Sequence, residues 1–337
     1  MRWMTACLGL LACWPLQAPE QMRDPWGVRK AEEKPAVTIH RWQGKDGNAD
    51  SGANWSTGTP ISSWSNGDGA VIDGVLSQRS LTSGLSQPSL GLAQWDVHEN
   101  FRGNIGGPGN PLYVGECGDA GSGYKGFRYH GRGTAYLKVN DVYYHSRVFV
   151  NSPNLLDAVH LLANASRGYD EVWVYSGAVT LEQTADFIGG ANQLESTLGL
   201  FGQDARVTVY GEAGDTLNPA NIIVDAGRLF LGRRDWNSNA LSPPVLHISG
   251  GYVQAQSLSY LSRLTMTGGY LEPQQHETMN GTLLWMLAAG TLDLRSCRNA
   301  IDASGLFVGP NFELIGGSIV DEATFLTNLM DLRKEFP

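Results

Sequence analysis

Charge is scarce in this chain. Of its 337 residues only 17% are Asp, Glu, Lys or Arg, and 24 Lys+Arg stand against 33 Asp+Glu for a formal net charge of -9. A nucleic-acid reader needs a basic face, so that class is excluded, and anionic membrane surfaces are disfavoured partners for the same electrostatic reason. Cysteine is equally sparse. Cys7, Cys13, Cys117 and Cys297 form no C-x-x-C pair, which removes zinc-ribbon and thiol-redox motifs. Cys117 and Cys297 read as free buried thiols, with pairing between them left open. The apolar stretch at residues 4 to 14 is too short to span a bilayer. G-x-S-x-G and P-loop signatures are missing, His276-Glu277 lacks the second histidine of H-E-x-x-H, and the histidines show no ligand spacing. No cofactor or metal is implied.

Glycine is what the chain has in excess: 42 residues, roughly twice ordinary usage. With 42% hydrophobic residues there is enough apolar material for a core, and the pattern of short apolar alternations broken by Gly, Asn and Pro reads as all-β. Residues 1 to 36 carry no such alternation. They hold Trp3, Trp14 and Trp26 among four prolines and read as an extended arm that needs a surface to lie on. Ordering such an arm costs about 1–2 kcal/mol per residue, and each buried tryptophan returns several kcal/mol at ~25 cal/mol/Å². The arm's start is read as unprocessed. The alternative is Leu10-Leu11-Ala12-Cys13, which matches a bacterial lipobox and would place a lipid on Cys13. Residues 37–133 form a Trp/Gly-rich β entry region, with eleven glycines between 103 and 133.

The strongest signal is a degenerate repeat, apolar-x-apolar-x-x-Gly-x-apolar. Its glycines fall at 177, 227, 251, 269, 290 and 317, with spacings of 50, 24, 18, 21 and 27. The long gap is expected to hide a unit around Val207-Thr208-Val209-Tyr210-Gly211. A period near 25 residues means stacked units sharing one core, because one unit alone buries too little. The expected fold is a right-handed parallel β-helix (β-solenoid), with its body over 134–320; a β-sandwich is the alternative. Val174, Leu229, Ile248, Met266, Leu287 and Leu314 are expected in one buried column. Residues 152 to 162 fit a helix start or a strand, and strand is preferred. Residues 321–337, with Phe325, Leu326, Leu329, Met330 and Leu332, read as a terminal helix covering the open end.

Asn54-Trp55-Ser56-Thr57-Gly58-Thr59-Pro60, followed by Asp68-Gly69-Ala70-Val71-Ile72, resembles the opening of β-helical surface proteins. Similar openings occur in bacteriophage virion-associated β-helix proteins and in autotransporter-like repeats. The resemblance covers residues 42 to 73 and implies a fold and a setting, with no catalytic residues attached. It implies a non-enzymatic structural virion protein, a capsid decoration or accessory protein on the capsid exterior. Its partners would be the major capsid protein or other virion subunits, with Trp3, Trp14 and Trp26 as capsid anchors. Two other classes stay open. One is a carbohydrate-binding or carbohydrate-cleaving β-helix, tailspike-like or secreted, with surface glycans as partner. The other is a bacterial surface lipoprotein anchored at Cys13. Glycoside cleavage needs two carboxylates at a set separation. Asp170-Glu171 and Asp321-Glu322 are sequence neighbours and would point to opposite faces of a strand. The G-x-G-x-x-G of Gly121 to Gly126 runs on into strand, which is wrong for a dinucleotide site. Trp42, Trp55, Trp64, Trp95 and Trp236 are expected to pack over turn ends, in preference to an exposed sugar- or protein-docking role.

Overall fold

Alternation of apolar and polar residues over four to five positions makes strands with one dry face, and the glycines between them make corners. The computed structural model describes residues 36, 38–117, 126–138, 147–162, 169, 171–182, 197–210, 216–217, 221–232, 235–236, 245–256, 263–274, 284–293, 295–297 and 312–320. The expected arm and terminal helix lie outside the described residues.

Two parallel ladders carry the fold. The first begins with Ile39–Arg41, Gly69–Ile72, Gln94–Val97, Gly126–Tyr129 and Arg147–Asn151. It continues through the first half of Glu171–Leu181, then Thr197–Leu200, Asn221–Val224 and Val245–Ile248. The first halves of Arg263–Pro273 and Leu284–Asp293 follow, and Phe312–Leu314 ends it. The second ladder runs from Ala135–Lys138 and Val159–Leu162 through the second half of Glu171–Leu181 to Ala205–Val209, Arg228–Leu231 and Tyr252–Ala255. It then takes the second halves of the same two long strands and Ser318–Val320. Ser86–Leu92 and Leu112–Cys117 lead into it. Among the described residues every pairing between strands is parallel, and antiparallel contacts are isolated bridges. This is the right-handed parallel β-helix, not the sandwich, whose hairpins pair antiparallel. The first ladder passes unbroken from the Trp/Gly-rich entry region into the repeat body.

The inward columns follow the pleat. Val174, Leu200, Val224, Ile248, Met266 and Leu287 stand one above the other, each 3% exposed or less. Leu314 continues the register, but its side chain lies outside the described residues. Leu229 does not belong to this column. It stacks with Val207 and Val253 in the second ladder. The reason is its place in the repeat: Leu229 follows the corner glycine, whereas the other five precede theirs, so the chain has already turned onto the next wall. The hidden unit is present but also shifted. Its first-ladder strand is Thr197–Leu200, and Val207 and Val209 lie on its second-ladder strand. Ala205, in register with Gly177, holds the place of the corner glycine, so the repeat is silent there. Gly211 lies outside the described residues.

Corners stack on corners. Gly177, Gly227, Gly251, Gly269, Gly290 and Gly317 all have positive φ. At Gly251 φ is 68° and a Cβ would sit 2.7 Å from the carbonyl oxygen of Gly227 in the corner below. Handedness of the backbone and lack of space therefore both select glycine. Residues 152 to 158 form an irregular corner rather than a helix. Ser152 Oγ donates to the Gly131 carbonyl at 2.5 Å, and Asn154 Oδ1 accepts from the backbone N–H of Leu156 and Asp157. Val159–Leu162 is then strand, as preferred from the sequence.

Candidate functional site

Four tryptophans gather at the first rungs. Trp42, Trp55, Trp64 and Trp95 are all buried, with ring centroids 4.6 to 6.3 Å apart in mostly edge-on pairs. The edge of one ring, slightly positive, meets the electron-rich face of the next. Their role is packing, as expected; the side chain of Trp236 lies outside the described residues. The motif that carries the family resemblance is wired into this cluster. Asn54 Oδ1 accepts from the N–H groups of Lys45 and Asp46 at 2.7 and 3.1 Å. Its amide donates to Asp46 Oδ1 and to the Asn48 carbonyl. Trp55 Nε1 donates to the Ala49 carbonyl at 2.7 Å, and Ser56 Oγ accepts from the Arg41 N–H.

Within the same cap stands a hydroxyl–imidazole–carboxylate line. His40 Nδ1 lies 2.6 Å from Thr57 Oγ1 and Nε2 lies 3.3 Å from Asp68 Oδ2, while the ring stacks on Trp64 at 3.9 Å. This order of groups serves nucleophilic catalysis when oxyanion donors converge beside the hydroxyl. Here the neighbouring Gly58 N–H is spent on the Trp55 carbonyl. His40 is a buried histidine with both ring nitrogens partnered, and the line joins the first strand to the loop that precedes the second. A comparable polar knot sits outside the second ladder. His160 bridges Asp157 Oδ1 at 2.5 Å and Glu182 Oε1 at 2.7 Å, with Tyr136 stacked on it at 4.2 Å.

A cleft among the described residues lies farther along, on the outer face of the second ladder. Tyr252, Tyr270, Glu272, Asp293, Arg295 and Ser296 line a cleft of about 540 Å³. Register explains the grouping. Tyr252 pairs with Tyr270 and Gln254 with Glu272, so one outward column carries the rings and the next the acids. Each tyrosine leans one rung forward: Tyr252 donates to Glu272 and Tyr270 to Asp293. Arg295 grips Asp293 through Nε at 2.9 Å and Nη2 at 2.5 Å. That bond, with help from Tyr270, holds the Asp293 carboxyl down at about 2 against the effect of burial. Burial first, and the Glu272 carboxylate second, push the Tyr252 phenol up; the hydrogen bond to Asp293 does the same for Tyr270. Both hydroxyls therefore stay protonated and donating at neutral pH. Asp293, ionised and clamped, has no proton to give a leaving group.

This cleft was not legible in the sequence. Its only trace there is Gly-Gly-Tyr-apolar occurring twice, at Gly250 to Val253 and at Gly268 to Leu271. The expected anchors Trp3, Trp14 and Trp26, the lipidation candidate Cys13, and the carboxylates Asp170, Asp321 and Glu322 lie outside the described residues. Glu171 is paired with Arg147 Nε at 2.8 Å and also accepts from Trp173 Nε1. Asp225 accepts from Ser249 Oγ at 2.6 Å in a stacked corner. Among the described residues no three His, Cys, Asp or Glu side chains converge as a metal site would, and no helix is long and apolar enough to cross a membrane. No family model matches the chain, and no curated protein or solved structure is significantly similar to it.

Proposed function

We propose that the chain is a non-enzymatic structural protein of a bacteriophage particle, a decoration or accessory subunit on the capsid exterior. The observation that supports a structural role is the pair of ladders running from Ile39 to Val320, with aliphatic and aromatic side chains filling the space between them. Stability of this kind is spread over nearest-neighbour rungs, which suits a part that must stay folded outside a cell. The phage setting rests on the likeness of residues 42 to 73 to virion-associated β-helices. In this reading the arm, with Trp3, Trp14 and Trp26, is the attachment device, and the major capsid protein or another virion subunit supplies the surface that buries it.

The test compares full-length protein with a variant lacking residues 1 to 36, using virions purified from the organism that carries the gene. Full-length protein should co-sediment with the particles. The truncated form should melt as the full-length protein does and remain in the supernatant. Failure of the full-length protein to co-sediment removes the virion reading, and co-sedimentation of the truncated form moves attachment from the arm to the solenoid.

A further inference from the structure

We propose that the cleft on the outer face of the second ladder is a binding site for a neutral, hydroxyl-rich saccharide, with Tyr252 and Tyr270 as its aromatic platform. The site goes beyond a structural role and does not depend on it.

Four observations lead there. The first is space: the cleft of about 540 Å³ is open to solvent along the outer face, so an extended chain can lie across it. The second is the pair of rings. Tyr252 and Tyr270 come from successive rungs, with centroids 5.5 Å apart and planes within 20° of parallel. The two rings stack on each other, so the C–H groups of a sugar pack against the open side of the pair while its hydroxyls reach sideways to polar groups. Here the polar groups one column away are the half-buried Glu272 and, past the buried Asp293 that holds it, the guanidinium of Arg295.

The third observation is rigidity. Glu272 is held by three donors: Tyr252, Gln274 Nε2 at 2.8 Å and Ser296 Oγ at 3.1 Å. Asp293 is held by Tyr270 and by the Arg295 guanidinium and N–H. Side chains fixed before a ligand arrives lose little entropy when it binds. Each tyrosine has used its proton; the Tyr252 oxygen is left to accept from a ligand hydroxyl, while the Tyr270 oxygen already accepts from Arg295 Nη2 at 3.5 Å. Arg295 uses Nε and Nη2 on its neighbours, and its side chain is 55% exposed, leaving Nη1 to donate.

The fourth is charge. Two carboxylates and one guanidinium leave the cleft with one net negative charge, which repels phosphate, sulfate and uronate groups. A bare divalent cation is also a poor occupant, because a guanidinium sits among the carboxylates and Asp293 has no oxygen left to coordinate it. A neutral polyol meets neither obstacle.

The experiment titrates the full chain with cellohexaose, maltohexaose and mannohexaose, and with an oligogalacturonate and a sulfated hexasaccharide as anionic probes. Calorimetry reads affinity, and hydrogen exchange with and without sugar reads location. At least one neutral hexasaccharide should bind and slow exchange in residues 263–274 and 284–293. Tyr270→Ala should weaken binding by about tenfold or more. Tyr270→Phe, which keeps the ring, should weaken it less. If Tyr270→Ala fails to fold, the exchange map and Tyr270→Phe still decide. The proposal is overturned if no neutral probe binds, if the anionic probes bind more tightly, or if protection appears elsewhere in the chain.

Discussion

The first rungs and the later rungs of this solenoid are held by different physics. Between residues 38 and 138 the interior mixes Trp, Phe and Tyr with aliphatic side chains, and polar side chains wire the irregular loops: Asn54 ties down residues 45 to 48, and Asn104 and Asn110 each clamp a neighbouring turn. From about residue 171 onward the interior is mainly Val, Leu and Ile, and the corners are held by close stacking of glycine backbone on glycine backbone. The first device terminates a stack and is specific to its place. The second propagates a stack, because each corner offers the next one the same surface. A solenoid needs both, since identical rungs alone would expose an end that invites further pairing.

Four substitutions test that contrast. Ile248→Asp should have the largest effect. It places an unpaired charge in a fully buried position of the aliphatic column, a penalty comparable to the whole stability of a domain. Circular dichroism should lose its cooperative β transition, while hydrogen exchange keeps the amides of the aromatic first rungs protected. A variant that melts like the parent would refute the register.

Asn54→Ala comes next. It abandons two backbone N–H donors and two side-chain bonds at a fully buried position, which should cost about 2–4 kcal/mol in denaturant unfolding. The loss should appear first as faster exchange in residues 45 to 50. If it spreads evenly along the chain, the two regions form one cooperative unit and the contrast drawn here is void.

The smallest effect is a difference between two glycines. Gly58 and Gly251 share positive φ, 74° and 68°, but a Cβ on Gly58 meets nothing within 4 Å whereas one on Gly251 presses on the Gly227 carbonyl. Alanine should cost about 1–2 kcal/mol at Gly58 from handedness alone, and roughly 1–3 kcal/mol more at Gly251. Equal melting temperatures for the two variants would mean that corner stacking contributes nothing beyond φ.

The repeat was legible because strand alternation and corner glycine are both local demands. Val172-x-Val174 and Leu246-x-Ile248 had to alternate to bury one face, and Gly251 and Gly269 had to be glycine to turn. Where a demand was met another way, the glycine signal was silent: Ala205 takes the corner with a longer turn, so that unit was expected around Val207 to Gly211, one wall late. Leu229 was assigned to the wrong wall because a repeat written as a line does not say where the chain changes direction.

The sequence by itself determined the class of fold, the identity of most inward residues, and the fate of Trp42, Trp55, Trp64 and Trp95 as packing rather than docking groups. Each of these follows from polarity and period along one strand. Only the tertiary structure decided what the outer faces present. Tyr252, Tyr270, Glu272, Asp293 and Arg295 are up to 43 positions apart in the chain, and their meeting depends on the register between rungs. That register is set by the volumes of core side chains and the lengths of the excursions between rungs. A one-residue slip would turn every ring and carboxylate of the cleft toward the core.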